Sequence, residues 1–273
     1  MKRGVLSILL FLPLLGVSQE GESKNKEHRF YITWGYNRAF YEESDIHFKG
    51  DGFDFTLYDV QAQDLPEPFD TKVYLNPTKL TIPQFDFRIG YYLNEKTAIS
   101  GGWDHMKYRI IPYQRAMIDG YMSGEEFGHY EGEYNEEYIQ IRPDLMQYEH
   151  SDGFNFVRIG LEHYEPVWQS KNQKFKGVWY GGISAGLMFP WTDFHFVGNY
   201  YRNWIHLSGW GVSALMGGRF EIGKYFFLQG QAQYGCTSMA VIIIQNDADS
   251  RASQNIVFFE RSWMLGGYVP IGK

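Results

Sequence analysis

The sequence predicts an all-β fold, an antiparallel up-and-down barrel whose strands cross a membrane. Three observations lead to this prediction: long segments that alternate apolar and polar residues, connectors that alternate between short and long, and an N-terminus that resembles an export signal. Alternation places apolar side chains on one face of a strand and polar side chains on the other. In a membrane barrel the apolar face contacts lipid and the polar face lines the lumen.

The N-terminus predicts export. A basic start is followed by an apolar stretch from Val5 to Leu15 and by small residues at Gly16 and Ser18, which is the pattern of a cleavable signal peptide. The apolar stretch is too short to span a bilayer as a helix. We therefore expect residues 1–18 to be the signal peptide and residues 19–273 to form a single outer-membrane β-barrel domain.

Eight long strands are predicted in the mature chain. The clearest lies around Phe85, Phe87 and Ile89, which share one face, while Asp86 and Arg88 share the other. Each strand exceeds the nine to eleven residues or so that a tilted strand needs to cross a bilayer. The predicted ranges are 29–41, 80–93, 97–111, 153–165, 175–189, 206–221, 224–240 and 256–270.

The connectors predict which rim of the barrel carries the loops. Asn94-Glu95-Lys96 and Ile222-Gly223-Lys224 are tight turns, and 166–174 is a link of moderate length. Short turns on one rim and long extracellular loops on the other are typical of outer-membrane barrels. The long connectors are 42–79, 112–152, 190–205 and 241–255.

Two long connectors contain strand-like stretches of their own, at 53–58 and 137–141. We expect these stretches to form hairpins above the membrane, which leaves eight strands in the wall. If they entered the wall instead, the barrel would have ten or twelve strands.

The phase of each strand predicts which residues face the lumen. Asp86, Arg88, Arg158 and Glu162 are expected inside, and Gln229, Gln231, Gln233, Glu260 and Ser262 have the same phase on later strands. The lumen of an eight-stranded barrel is just filled by side chains, so these residues are expected to form a structural plug rather than a proton or ion path. The residues expected to face lipid are Phe85, Phe87, Ile89, Val157, Ile159 and Leu161.

The two largest connectors are strongly acidic. Segment 42–79 has a net charge of −6 and segment 112–152 has −8, so the rest of the chain sums to +7. The run from Glu125 to Glu137 lacks the spacing of a calcium-binding loop, and we interpret it as a solvated acidic surface. Loops this negative exclude a nucleic acid as partner. No cofactor and no metal site is predicted.

A search for catalytic motifs leaves one pair of residues. The chain has no Gly-x-Ser-x-Gly, His-Glu-x-x-His or Walker sequence, and its lone Cys236 cannot form an internal disulfide. His206 and Ser208, at the start of the sixth predicted strand, share the face of Trp210, which is expected to face lipid near the outer rim. A histidine beside a serine can activate its hydroxyl for acyl transfer.

His206 and Ser208 resemble the His-x-Ser pair of the lipid A 3-O-deacylases, eight-stranded outer-membrane esterases that also use a glutamate. The resemblance covers these two residues and the architecture. The chain departs from the family at Gly209-Trp210, where the family has Asn-Ala. Glu221 is about 43 Å along the strand from Ser208 and cannot orient His206, which leaves Asp193 as the nearest candidate carboxylate.

In its layout the mature chain resembles outer-membrane β-barrel proteins of Gram-negative bacteria that have no assigned activity. That resemblance implies two partners, outer-membrane lipid with lipopolysaccharide and the barrel-assembly machinery. Such barrels often end on an aromatic residue, whereas this chain continues from Tyr268 to Lys273. Our first prediction is a non-enzymatic surface or envelope-stabilising module. The alternatives are a lipid A esterase that uses Ser208 and His206, and a soluble lipocalin-like barrel with inward apolar faces.

Overall fold

Strands make up most of the computed structural model, which describes residues 29–270 apart from 77, 80, 81 and 248. The predicted signal peptide, residues 1–18, lies outside the described residues. A short helix, α1 (Thr71–Tyr74), and a 3-10 helix (Glu125–Tyr130) are also present. The strands are β1 (Arg29–Tyr41), β2 (Ser44–Gly50), β3 (Phe53–Val60), β4 (Ala62–Gln63), β5 (Phe85–Tyr92), β6 (Thr97–Ile110), β7 (Arg115–Met122), β8 (Gly132–Gln140), β9 (Met146–Gln169), β10 (Phe175–Pro190), β11 (Asp193–Phe196), β12 (Asn199–Arg202), β13 (Gly209–Ile222), β14 (Phe226–Ile243) and β15 (Arg251–Pro270).

Eight of these strands close into an antiparallel barrel. Hydrogen bonding follows the order β1-β5-β6-β9-β10-β13-β14-β15, and β15 then pairs with β1 from Arg29↔Pro270 to Tyr41↔Phe258. Closure of a sheet on itself removes the free edges that would otherwise expose unpaired backbone groups. The predicted up-and-down topology and the wall of eight strands are confirmed.

The strand bounds differ from the prediction most at the second, fourth, sixth and eighth wall strands; the eighth, β15, begins at Arg251 rather than at residue 256. The second wall strand begins at Phe85 rather than at residue 80, because Pro83 has no backbone N–H to donate to a ladder. The fourth, β9, is much longer than 153–165, because its first residues pair with β11 above the barrel. The sixth begins at Gly209, so residues 206–208 belong to the preceding connector.

The connectors sort by length onto the two rims. Residues 93–96, 170–174 and 223–225 are the short turns, and the ends of β1 and β15 lie on the same rim. The opposite rim carries the described strands that lie outside the wall, namely β2, β3, β4, β7, β8, β11 and β12. We call these strands, their connectors and the adjacent ends of the wall strands the cap.

The cap extends the barrel wall as a sheet. Arg251–Gln254 at the start of β15 pair with β2, and β3, β7 and β8 follow in that order. On the other side, Met146–Glu149 of β9 pair with β11, which pairs with β12. The strand-like stretches at 53–58 and 137–141 therefore lie outside the wall, as predicted.

The cap encloses a large apolar core. It is built from inward side chains of the cap strands and of the upper wall strands, and Phe48, Phe53, Phe55, Phe194 and Phe196 form an aromatic cluster within it. Burial of this much apolar surface folds the long connectors into a defined structure. The cap core therefore covers the upper end of the lumen.

Candidate functional site

The outer surface of the barrel wall is apolar. Ile159 is 66% exposed, whereas its neighbour Arg158 is 2% exposed and points into the lumen. This arrangement is the reverse of that in a water-soluble protein, where charged residues are mostly exposed and large apolar residues are mostly buried. We call the outward apolar surface the belt; its exposed members include Ile32, Ile89, Ile99, Trp103, Val157, Leu161, Trp179, Ile183, Leu187, Val212, Met216, Leu228, Trp263 and Leu265.

The predicted orientation is confirmed for most of the residues on which it depended. Asp86, Arg88, Arg158 and Glu162 are buried in the lumen. Inward apolar faces, which the lipocalin-like alternative requires, are absent from the described barrel wall at the level of these residues. That alternative is therefore wrong.

Phe85 was predicted to face lipid, and it is instead fully buried. Its ring stacks on Trp34 at 4.4 Å and on His105 at 4.9 Å between centroids, and Trp103 contacts it edge-on. Large rings on both neighbouring strands cover it, which an alternation pattern within one strand cannot reveal. Phe87, two residues further, is half-buried.

The middle of the lumen is held by ion pairs around Asp104 on β6. Arg88 pairs with one carboxylate oxygen, and Arg158 Nε donates to the other at 3.0 Å. Gln233 Nε2 donates to that second oxygen at 2.8 Å. Buried charges are stable when they are paired and hydrogen-bonded in this way. We call this set the polar layer.

Glu162 has its own set of donors. The hydroxyl groups of Tyr31 and Tyr164 both donate to Oε2, the latter at 2.5 Å, and Ser100 Oγ donates to Oε1 at 2.9 Å. Three hydroxyl donors supply the hydrogen bonds that an ionised carboxylate loses on leaving water. Glu162 therefore joins the polar layer to the aromatic residues below it.

Arg219 sits among aromatic rings at the rim of the short turns. Nη1 donates to Tyr92 at 2.8 Å and to Tyr268 at 3.0 Å, and Nη2 donates to Tyr164 at 3.0 Å. Its guanidinium carbon lies 3.9 Å from the centre of the Phe227 ring, a cation–π contact. These residues, together with Tyr31, Ala98, Val178, Tyr180 and Leu215, form what we call the aromatic plug.

The lumen is therefore filled at three levels: the aromatic plug, the polar layer and the cap core. From strand phase, sequence reasoning placed Arg88, Arg158 and Gln233 of the polar layer in the lumen. It did not name Asp104, and it missed the aromatic plug and the cap core. Arg219 could have been found, because it alternates with the outward residues Met216, Gly218 and Phe220 on the same strand. The cap core could not, because alternation alone does not tell a cap strand from a wall strand.

His150 lies in the cap among the rings of Tyr108, Tyr148 and Phe154. Burial lowers its pKa from 6.5 to about 3, and the nearby His206 adds to the shift. The unfolded chain binds a proton here below pH 6.5, and the folded chain does not until about pH 3. The contribution of neutral His150 to the stability of the cap should therefore be fully present above pH 6.5 and be lost as the pH falls toward 3.

We expect His150→Phe to reduce this acid sensitivity, which amounts to about 2 kcal/mol at pH 5. Amide hydrogen exchange of the cap at pH 7 and pH 5 measures it, with His163→Phe at the exposed opposite rim as the control. An acid-induced rise in exchange that is equal in His150→Phe and the wild type would contradict the assignment.

The structure brings His206 and Ser208 together. Ser208 Oγ lies 2.8 Å from His206 Nε2. His206 Nδ1 lies 2.9 Å from the carbonyl oxygen of Trp204, and Nε2 lies 3.2 Å from that of Val241. With the proton on Nδ1, the shorter contact is a hydrogen bond to Trp204 and Nε2 is an acceptor. The N–H of Ile243 also donates to Nε2, at 3.2 Å. Both residues lie in the connector before β13 rather than in the strand, and Ser208 is 5% exposed rather than on the lipid-facing surface.

The carboxylates considered as partners of His206 have other contacts. Asp193 Oδ2 accepts a hydrogen bond from Ser151 at 3.2 Å. Glu221 accepts from Tyr268 at 2.5 Å and pairs with Lys176. Within the described residues, backbone groups orient the imidazole: the carbonyls of Trp204 and Val241 and the N–H of Ile243.

Among the described residues no helix is long and apolar enough to cross a membrane. No protein-family model matches the chain, and no curated protein matches its sequence.

Solved structures do resemble it. The attachment invasion locus protein Ail of Yersinia pestis is 10% identical, with 89% of this chain and 99% of Ail covered and a TM-score of 0.33. The outer membrane protein OprG of Pseudomonas aeruginosa is 11% identical, with 90% and 98% covered and a TM-score of 0.40. Neisserial surface protein A is 12% identical, with 89% and 97% covered and a TM-score of 0.32. The fold assignment rests on the closed ring of eight strands itself.

Proposed function

We propose that the chain is an outer-membrane protein whose closed barrel anchors the cap outside the cell as a non-enzymatic surface module. The observation that carries the proposal is the inverted surface of the barrel, apolar outside and charged inside. A surface of this kind is stable in a bilayer, where an apolar band meets lipid and polar groups turn to the lumen. The filled lumen argues against a diffusion pore.

The cap is the part that remains for interaction with other molecules. Its exposed acidic residues lie mainly on β2, β3, the 3-10 helix and β8, together with their connectors. An acidic surface attracts cationic partners and repels anionic ones. We therefore infer a cationic partner for the cap. These exposed acids include Glu42, Glu43, Asp45, Asp51, Asp59, Glu125, Glu126, Glu131, Glu133, Glu136, Glu137 and Asp144.

Trypsin cleavage of a Gram-negative host that expresses the full chain tests location and topology together. Arg115 is exposed at the start of β7 in the cap, and Lys171 and Lys174 lie in an exposed short turn at the opposite rim. We expect cleavage at Arg115 in intact cells, and cleavage at Lys171 and Lys174 only after the outer membrane is permeabilised. The protein should fractionate with the outer membrane and give a heat-modifiable gel band. Recovery in the soluble periplasmic fraction would refute the proposal, and the reverse cleavage pattern would invert the topology.

The Ser208–His206 hydrogen bond favours a second candidate, an esterase acting on the acyl chains of lipid A. A serine hydroxyl bonded to an imidazole nitrogen is the first requirement of an acyl-transfer nucleophile. Three features oppose it. Ser208 is buried, Nε2 is shared with the Ile243 N–H, and a neutral carbonyl stands where a carboxylate would stabilise the imidazolium.

We expect expression of the chain to leave the lipid A acyl pattern of the host unchanged, because of these three features. Mass spectrometry of extracted lipid A measures the result. Ser213→Ala, at another buried serine of the same region, is the matched control for Ser208→Ala. Loss of one acyl chain that is abolished by Ser208→Ala and retained in Ser213→Ala would establish the esterase.

A further inference from the structure

Glu260 on β15 is the buried carboxyl group that the polar layer leaves without a donor. It is 0% exposed, and neither of its carboxylate oxygens has a hydrogen-bond partner among the described residues. An ionised carboxylate in this position would lose its hydration without replacement, at a cost of several kcal/mol.

The Glu260 carboxyl group lies beside two others. One oxygen each of Asp86, Asp104 and Glu260 lies within 4.8 Å of the other two. Asp104 forms ion pairs with Arg88 and Arg158 and accepts from Gln233. Asp86 accepts from Asn37 at 2.8 Å through Oδ1, while its Oδ2 has no hydrogen-bond partner and lies 3.8 Å from Arg88. Glu260 and Asp86 thus present unused acceptor oxygens to each other.

The charges around these oxygens do not balance when every group is ionised. Three carboxylates face two guanidinium groups, those of Arg88 and Arg158. Elsewhere in the lumen Glu162 has three hydroxyl donors, and Arg219 is enclosed by the aromatic plug. The polar layer therefore needs one further positive charge, and it needs a donor between Glu260 and Asp86.

We propose that Glu260 and Asp86 bind one proton between them, so that Glu260 is a carboxylic acid whose O–H donates to Asp86. One proton supplies both the missing charge and the missing donor. A divalent cation would overcorrect the charge, because three carboxylates and two guanidinium groups leave only one negative charge to neutralise. A carboxyl pair that shares one proton is stable because two like charges this close cannot both ionise.

The groups around the shared proton are carboxylates, guanidinium groups, one tyrosine and one amide. The charged residues that face it are Asp86 and Arg88 on β5, Asp104 on β6 and Arg158 on β9, and Tyr41 on β1 is close enough to interact with Glu260. From β14 the neighbour is the neutral Gln233, which is paired with Glu260 in register. The polar layer therefore contains no histidine that could take the proton at neutral pH.

Infrared spectroscopy of the purified full-length protein in detergent tests the proposal. At neutral pH we expect one carbonyl band of a protonated carboxylic acid that shifts in heavy water. Glu260→Gln should remove the band and leave the resistance to unfolding unchanged, because the amide also donates to Asp86. Glu162→Gln is the matched control. This variant should keep the band and unfold more easily, because an amide cannot accept the three hydroxyl hydrogen bonds as well as the ionised Glu162 carboxylate does.

Three outcomes would overturn the proposal: absence of the band in the wild type, persistence of the band in Glu260→Gln, or a stoichiometric metal ion in the wild type that is lost in Glu260→Gln. The last of these, measured by elemental analysis, would make the three carboxylates a cation site. If Glu260→Gln does not fold, Asp86→Asn provides the second variant. It is expected to remove the band, because two carboxylates then face two guanidinium groups and the introduced amide supplies a donor to Glu260; an unchanged band would also overturn the proposal.

Discussion

Asp104→Ala is expected to lower the free energy of unfolding by about 3–5 kcal/mol, the largest effect of any change considered for this protein. The substitution leaves the guanidinium groups of Arg88 and Arg158 buried without their counter-ion, and it removes the acceptor of Gln233. The change is measured by unfolding the protein in urea and monitoring the loss of the heat-modifiable gel band.

Glu165→Ala is the control for this substitution. Glu165 pairs with Lys96 on the exposed rim, where solvent screens the interaction, and its loss should leave stability unchanged. If Asp104→Ala were no more destabilising than this control, the ion pairs of the polar layer would not hold the barrel together.

Ile159→Arg is expected to cost about 2–4 kcal/mol, because it places a charge in the middle of the belt, where the surroundings are lipid. In water the same substitution at a side chain that is 66% exposed would be nearly neutral. The experiment therefore reports on the medium around the barrel as well as on the side chain. The cost is measured from the extent of folding into lipid vesicles, monitored by the heat-modifiable gel band.

Gln147→Arg is the matched control for Ile159→Arg. Gln147 lies on the same strand and is outward and half-buried, but it belongs to the cap, above the belt. It should fold as the wild type does. Equal folding of both variants would contradict the membrane orientation of the barrel.

Much of the barrel could be predicted from the sequence, because each wall strand alternates with its own clear phase. That phase placed Arg158 inside and Ile159 outside. It could not show that Trp34 and Trp103 cover Phe85, since such cover depends on neighbouring strands rather than on the strand itself. Lateral packing of this kind needs the register between strands, which one sequence does not contain.

The candidate pair His206 and Ser208 was found from spacing alone, but its setting was not. Period-two spacing assumed that the pair already belonged to a strand, whereas Asn203 holds the connector by hydrogen bonds to the carbonyls of Thr192 and Ile244. These contacts link residues far apart in sequence. In this connector Ser208 is buried, and backbone groups, rather than a carboxylate, orient the imidazole.

The pairing of β1 with β15 sets the order of events when the protein is made. Phe30 pairs with Val269, so the ring cannot close until nearly the whole chain has been synthesised and delivered. Contacts between such distant positions carry a large loop-closure entropy and slow folding. Until that last seam forms, β1 and β15 each present a long unpaired edge with an apolar face, which is prone to aggregation. We therefore expect that a factor which shields both edges and releases them to each other would raise the yield of this barrel.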